Sequence, residues 1–137
     1  MMQLRTLSDA TWQVVAEVDH RGKCPVEDEL NNFAKQKRTL SVAAGVLALW
    51  MRIPNEGPNA LPTESYHCVD KENDIYEFIK GRYRFICFLA EGRLVVCTSV
   101  LLKKSQKTPK HVVAHAVEVR RRYREAAAAG ELKFLGK

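Results

Sequence analysis

Between Ser65 and Leu102 the hydrophobic period of the chain is two. The segments SYHCVD, IYEFI, RYRFICFLA and RLVVCTSVLL each alternate or run apolar over strand length. Their separators are the turn-like KEND, KG and EG, and Gly92 can supply the positive φ that a tight turn needs. Strands joined by connections this short must pair antiparallel, because a parallel crossover needs a dozen residues or more. The stretch therefore predicts an antiparallel meander, and the rest of the chain has to cover it.

Upstream, WQVVAEVD (Trp12–Asp19) reads as a further strand and HRGKC as a turn. Pro25 suits a first helical position, and Glu27, Asp28 and Glu29 suit the positive end of a helix dipole. Val26, Leu30 and Phe33 form one apolar stripe, and Lys35, Lys37 and Arg38 suit the helix end. A second helix follows, with Thr39 or Ser41 as its cap and Val42, Val46, Leu49, Trp50 and Ile53 as its buried face. Pro54 ends it, and residues 54–64 form a loop rich in proline and glycine.

Downstream, Thr108 is expected to cap a final helix that starts at Pro109. Val112, Ala116, Val119 and Tyr123 line one side of it, with Val113 and Val117 beside them, and Gly130 stops it. The expected class is α+β: a twisted antiparallel sheet with two N-terminal helices and one C-terminal helix. Residues 1–137 are expected to form a single domain, with 1–11 as a flexible N-terminus.

Charge narrows the function. Twenty-two Lys and Arg face sixteen Asp and Glu, for a net +6, which favours a polyanionic partner or an acidic protein. No stretch has the apolar length of a membrane span, and the N-terminus lacks the apolar run of a secretory signal, so a cytoplasmic location is expected. Cys24, Cys68, Cys87 and Cys97 show no CxxC spacing, which argues against a zinc site. Cys87 and Cys97 can face each other across a hairpin, and reduced buried thiols are the expected state.

The basic residues converge by topology. In a meander the KG and EG turns lie at opposite ends of the sheet. The strand leaving EG returns towards KG, so Lys103 and Lys104 of KKSQKTPKH arrive near Lys80 and Arg82 of KGRYR. Alternation puts Arg82 and Arg84 on one face. Lys107 and Lys110 extend the patch towards the last helix. Such a patch suits a phosphodiester: arginine offers a planar fork, lysine a mobile charge, and a helix N-terminus oriented N–H groups. RNA carries its own nucleophile, the 2′-OH, so neither a metal nor a protein nucleophile is required. His111 is the nearest group suited to proton transfer. A lysine run at a strand end also serves simply as a solvated edge against aggregation. Tyr76, Phe78 and Tyr83 can stack on bases, although on strands such residues more often pack the core. His111, His115 and Glu118 are spaced as one helix face but lack a metalloprotease pattern, and no cofactor or phosphate-loop motif appears.

The run IYEFIKGRYRFICFLAEGRLVVCTSVLLKKSQKTPKHVVAHAVEVRRRYRE resembles the phage-derived HigB branch of the RelE/ParE toxins. There a strand ends near "YELR", a "YR" strand and a glycine turn follow, and "KKsqkTP" enters an Arg-rich helix. VDHRGKCPVEDELNNF is similar to the opening of that family, and the likeness runs from about Trp12 to about Arg124. It implies the toxin of a type II toxin–antitoxin pair that cuts mRNA on the ribosome without a cofactor. The implied partners are an antitoxin, often a helix-turn-helix protein, and operator DNA reached through it. Some relatives poison gyrase instead, and an inactive, binding-only member is a further alternative. By motif position Arg84, Lys103 and Lys104 are the catalytic set; His111 is assigned as acid or base from its nearness to the patch, and Lys80, Arg82, Lys107 and Lys110 are assigned to flanking RNA from their place in it. The arginine of "YELR" is absent, since Tyr76-Glu77-Phe78-Ile79 stands there, and Lys80 or Arg82 is the candidate to replace it.

Overall fold

A computed structural model describes residues 1–105 and 107–136, so Gln106 of the KKSQKTP motif lies outside the described residues. The chain order is β1 (Met2–Asp9), β2 (Gln13–Val18), α1 (Pro25–Lys35), α2 (Leu40–Met51), a 3₁₀ turn (Pro58–Ala60), β3 (Tyr66–Asp70), β4 (Ile75–Lys80), β5 (Tyr83–Ala90), β6 (Leu94–Leu102), α3 (Lys110–Ala128) and β7 (Leu132–Leu135). The three helices and seven-stranded sheet make an α+β fold.

The sheet order is β3-β4-β5-β6-β2-β1-β7. The meander β3–β6 is antiparallel as expected. The sheet as a whole is mixed, because β2 runs parallel to β6 and β7 parallel to β1. The segment expected to be a flexible N-terminus is instead β1, hydrogen-bonded between β2 and β7. MQLRTL alternates, and Met2, Leu4 and Thr6 are buried. Leu7 faces the opposite core by the same alternation, and the register shifts between Thr6 and Ser8.

Two cores flank the sheet. On one face, α1 and α2 cover Phe78, Phe85, Cys87, Val95 and Cys97, with Trp50 edge-on to both Phe78 and Phe85. On the other face, α3 lays Ala116, Val119, Tyr123 and Ala126 over Ile75, Ile86, Phe88 and Val96. The arginines of α3 tie it down: Arg122 pairs with Glu17 of β2, and Arg120 donates to the Asn73 carbonyl in the β3–β4 turn. None of the described helices is long and apolar enough to cross a membrane.

The helix starts correct two expected caps. Thr39 occupies the N-cap of α2, but its hydroxyl donates to the Phe33 carbonyl at 2.9 Å and caps nothing. Ser41 lies within α2. The last helix begins at Lys110, so Pro109 rather than Thr108 is the N-cap, and its carbonyl accepts from the Val112 and Val113 amides. Gly130 does terminate α3, with φ of 68°, and the chain then turns into β7. The 54–64 loop is pinned rather than loose. Trp12 donates to the Asn55 carbonyl, and its ring lies 3.0 Å from where a Cβ on Gly57 would sit. With φ of 115° as well, only glycine fits at position 57.

Cys87 and Cys97 are register partners on β5 and β6, both buried and both free. Burial raises the Cys87 thiol and pushes Cys97 up to about 12. Cys24 is buried too, and Cys68 is the exposed one. Thiolate is the reactive form, so an alkylating reagent at pH 8 is expected to label Cys68 alone in the folded protein. Mass spectrometry should show the other three labelled only after denaturation, and rapid native labelling of Cys87 or Cys97 would contradict this packing.

Candidate nucleic-acid interface

The β4–β5 hairpin turns at Gly81 and Arg82, with Gly81 at φ of 59°. Strand β6 runs back alongside β5 to Leu102, opposite Tyr83. The ladder continues one step further, because the Lys103 amide donates to the Arg82 carbonyl at 2.8 Å. That bond holds the start of the lysine run against the hairpin turn. Gly81, Arg82, Arg84, Lys103, Lys104 and Ser105 then line an open cleft of about 420 Å³. Four of these six are basic and none is acidic, so the cleft concentrates positive potential from two distant stretches of chain.

Arg84 is the most ordered of the four. Its Nη1 donates to the Gly81 carbonyl at 2.9 Å and the Tyr83 carbonyl at 3.1 Å. Its side chain is only 15% exposed, whereas Arg82 and Lys104 stand in solvent. The expected core of the site, Arg84 with Lys103 and Lys104, is thus brought together, and Arg82 joins it. Arg82 belongs to the turn, however, and does not share a strand face with Arg84 as alternation had suggested.

Lys80 is not part of this cleft. It follows Phe78 in alternation and so lies on the α1/α2 face of β4. Its aliphatic chain crosses α2 so closely that a Cβ on Gly45 would meet Lys80 Cε at 2.3 Å. Ile79, at the position of the missing motif arginine, is the register partner of Arg84. Of the two candidates to replace that charge, Arg82 lines the cleft and Lys80 does not. Lys107, Lys110 and His111 are exposed around the start of α3 and are not among the residues lining the cleft.

The aromatic candidates are occupied. Phe78 is fully buried, Tyr83 leans on Phe33 at 4.7 Å, and Tyr76 stacks on Tyr66 at 5.1 Å. Glu118 is taken by Arg121 and Arg122, and the Arg121 hydrogen bond holds its carboxyl below the usual range.

Two polar residues escaped the sequence reading. Glu77 is fully buried, and His67 sits opposite it on β3. His67 Nε2 lies 2.6 Å from Glu77 Oε2, and Arg84 Nε lies 3.6 Å from the same oxygen. The available signal was a charge between Ile75 and Ile79, on the side of β4 that alternation sends inward.

No curated protein matches this chain. A family model, that of the phage-derived Gp49-like proteins (DUF891), matches residues 28–122. That span holds most of α1, all of α2, the whole meander, the basic cleft and most of α3. More than half of the sequence is thus accounted for by one family description. The chain belongs to the phage-derived Gp49-like family, within the toxin–antitoxin-related RelE/HigB-like superfamily.

Proposed function

We propose that this chain is the toxin of a type II toxin–antitoxin pair and that it cuts mRNA on the ribosome. The observation that carries the reading is the cleft of Arg82, Arg84, Lys103 and Lys104, with no carboxylate among the described residues that line it. A phosphodiester under attack by its own 2′-OH gains negative charge in the transition state. Fixed cations aimed at that charge supply the largest single share of catalysis in many enzymes. Arg84, held by two backbone carbonyls, is pre-set for this role, and Lys103 and Lys104 add point charges beside it.

Arg82 stands at the rim and is assigned to flanking phosphates. Lys107 and Lys110 continue the basic track beyond the cleft, a footprint suited to the larger RNA surface of a ribosome. His111, proposed as acid or base, lies in the first turn of α3, off the cleft wall. Binding and charge stabilisation therefore fall to the cleft itself. The proposed partners are an antitoxin with a helix-turn-helix domain, operator DNA through that antitoxin, and the translating ribosome in the cytoplasm.

Isotope incorporation after induction tests the reading. Methionine incorporation is expected to fall within minutes while thymidine incorporation continues. If thymidine incorporation falls first, with a DNA-damage response, the chain acts on DNA topology instead. Normal growth at high expression would make it a binding-only member.

A further inference from the structure

Glu77 needs an explanation that the cleft alone does not give. A carboxylate with no solvent exposure carries a large desolvation cost, and breaking its pairing is more costly still. Neither of its oxygens accepts a well-formed hydrogen bond, although His67 and Arg84 both approach Oε2. Buried polar groups this poorly satisfied are uncommon, and each calls for a reason.

The contacts of Arg84 suggest that reason. A guanidinium is a planar fork with five N–H donors. Nη1 spends its donors on the Gly81 and Tyr83 carbonyls, and Nε faces Glu77. The two hydrogen bonds anchor the group, and Nε lies 3.6 Å from Glu77 Oε2 without a hydrogen bond of its own. Among the described residues Nη2 donates no hydrogen bond, so that edge is left for a ligand in the cleft Arg84 lines. His67 completes the arrangement from the far side. Its Nδ1 lies 3.2 Å from the Thr63 carbonyl, which can only accept, so Nδ1 carries hydrogen. Its Nε2 faces Glu77.

We infer that Glu77 is a positioning residue that aims Arg84 at a phosphate in the cleft, with His67 packed against it from the adjacent strand. This rests on the proposed reading of the cleft as an RNA site. His67 and Glu77 are register partners on β3 and β4, Arg84 lies diagonally from Glu77 on β5, and Lys103 follows just past the end of β6. Only Arg84 and Lys103 of the four touch the cleft. Glu77 therefore acts through Arg84 or not at all.

A double-mutant cycle separates these possibilities. The probe is a short single-stranded oligoribonucleotide, with affinity measured at one fixed salt concentration because phosphate contacts are salt-dependent. Arg84→Ala is expected to weaken binding about tenfold, the scale of one lost charge-assisted contact. Glu77→Gln, nearly isosteric, should weaken it about three- to tenfold in the parent and not at all in the Arg84→Ala background. His67→Gln should show the same dependence on Arg84 with a smaller loss, and it serves if Glu77→Gln lowers the melting temperature. Equal losses in both backgrounds, or no loss from either variant in the parent, would overturn the positioning role and leave the cleft reading intact. Unchanged binding by Arg84→Ala would sink the cleft reading itself, and the inference with it.

Discussion

Lys103→Ala combined with Lys104→Glu is expected to abolish the growth arrest that follows induction, without unfolding the protein. Both side chains line the cleft, and Lys104 stands in solvent. Removing one pre-set donor from a charge-stabilising site typically costs about 10²–10³ in rate. The glutamate also places a negative charge where the phosphate must sit. Stability should change little, since solvent-exposed substitutions usually stay within about 0.5 kcal/mol. The backbone bond from the Lys103 amide to Arg82 survives any side-chain change at that position. Circular dichroism and thermal melting check the fold, and growth after induction checks the activity. A folded double variant that still arrests growth would move the active surface elsewhere.

The second large effect concerns the N-terminus. Deleting residues 1–11 is expected to unfold the protein. Strand β1 registers with β2 from Gln3 opposite Val18 to Asp9 opposite Gln13, and with β7 from Met2 opposite Leu132 to Arg5 opposite Leu135. Its loss strips Met2, Leu4 and Leu7 from the two cores. Burying each such side chain stabilises by about 1.5–3 kcal/mol. The sum approaches the whole stability of an ordinary domain, about 5–15 kcal/mol. It also orphans β7 and bares the edge of β2, an invitation to aggregate. A truncated chain that melts within a few degrees of the parent would show that β1 is dispensable.

The contrast between β1 and the meander explains how much of this fold could be read in advance. Strands β2 to β6 and the three helices are long enough for their periods to stand out, and short turns force the meander into sequential pairing. Strand β7 is four residues placed just after a helix-ending glycine, too short for a period to form. Strand β1 does alternate, but its intervening Gln3 and Arg5 make it look solvated when no partner is in view. The parallel pairs of β2 with β6 and β1 with β7 join residues far apart in sequence, and no local pattern encodes them.

The site divides in the same way. Arg84, Lys103 and Lys104 converge because strand direction alone brings β6 back to the hairpin turn. Lys80 lies apart from them for an equally simple reason: two residues from Phe78, it shares the α1/α2 side of β4. Lys107, Lys110 and His111 are close to Lys104 in sequence but belong to the loop and helix beyond it, where the strand geometry no longer holds them together. Glu77 and His67 form a cross-strand pair, so neither has meaning until the register is known.

The most direct measurement is the mapping of mRNA 5′ ends after a brief induction, beside a Lys103→Ala, Lys104→Ala control. New ends within translated regions, absent from the control and absent when translation initiation is blocked, are the predicted result. Growth arrest with intact mRNA would contradict the nuclease reading and make the basic cleft a docking surface.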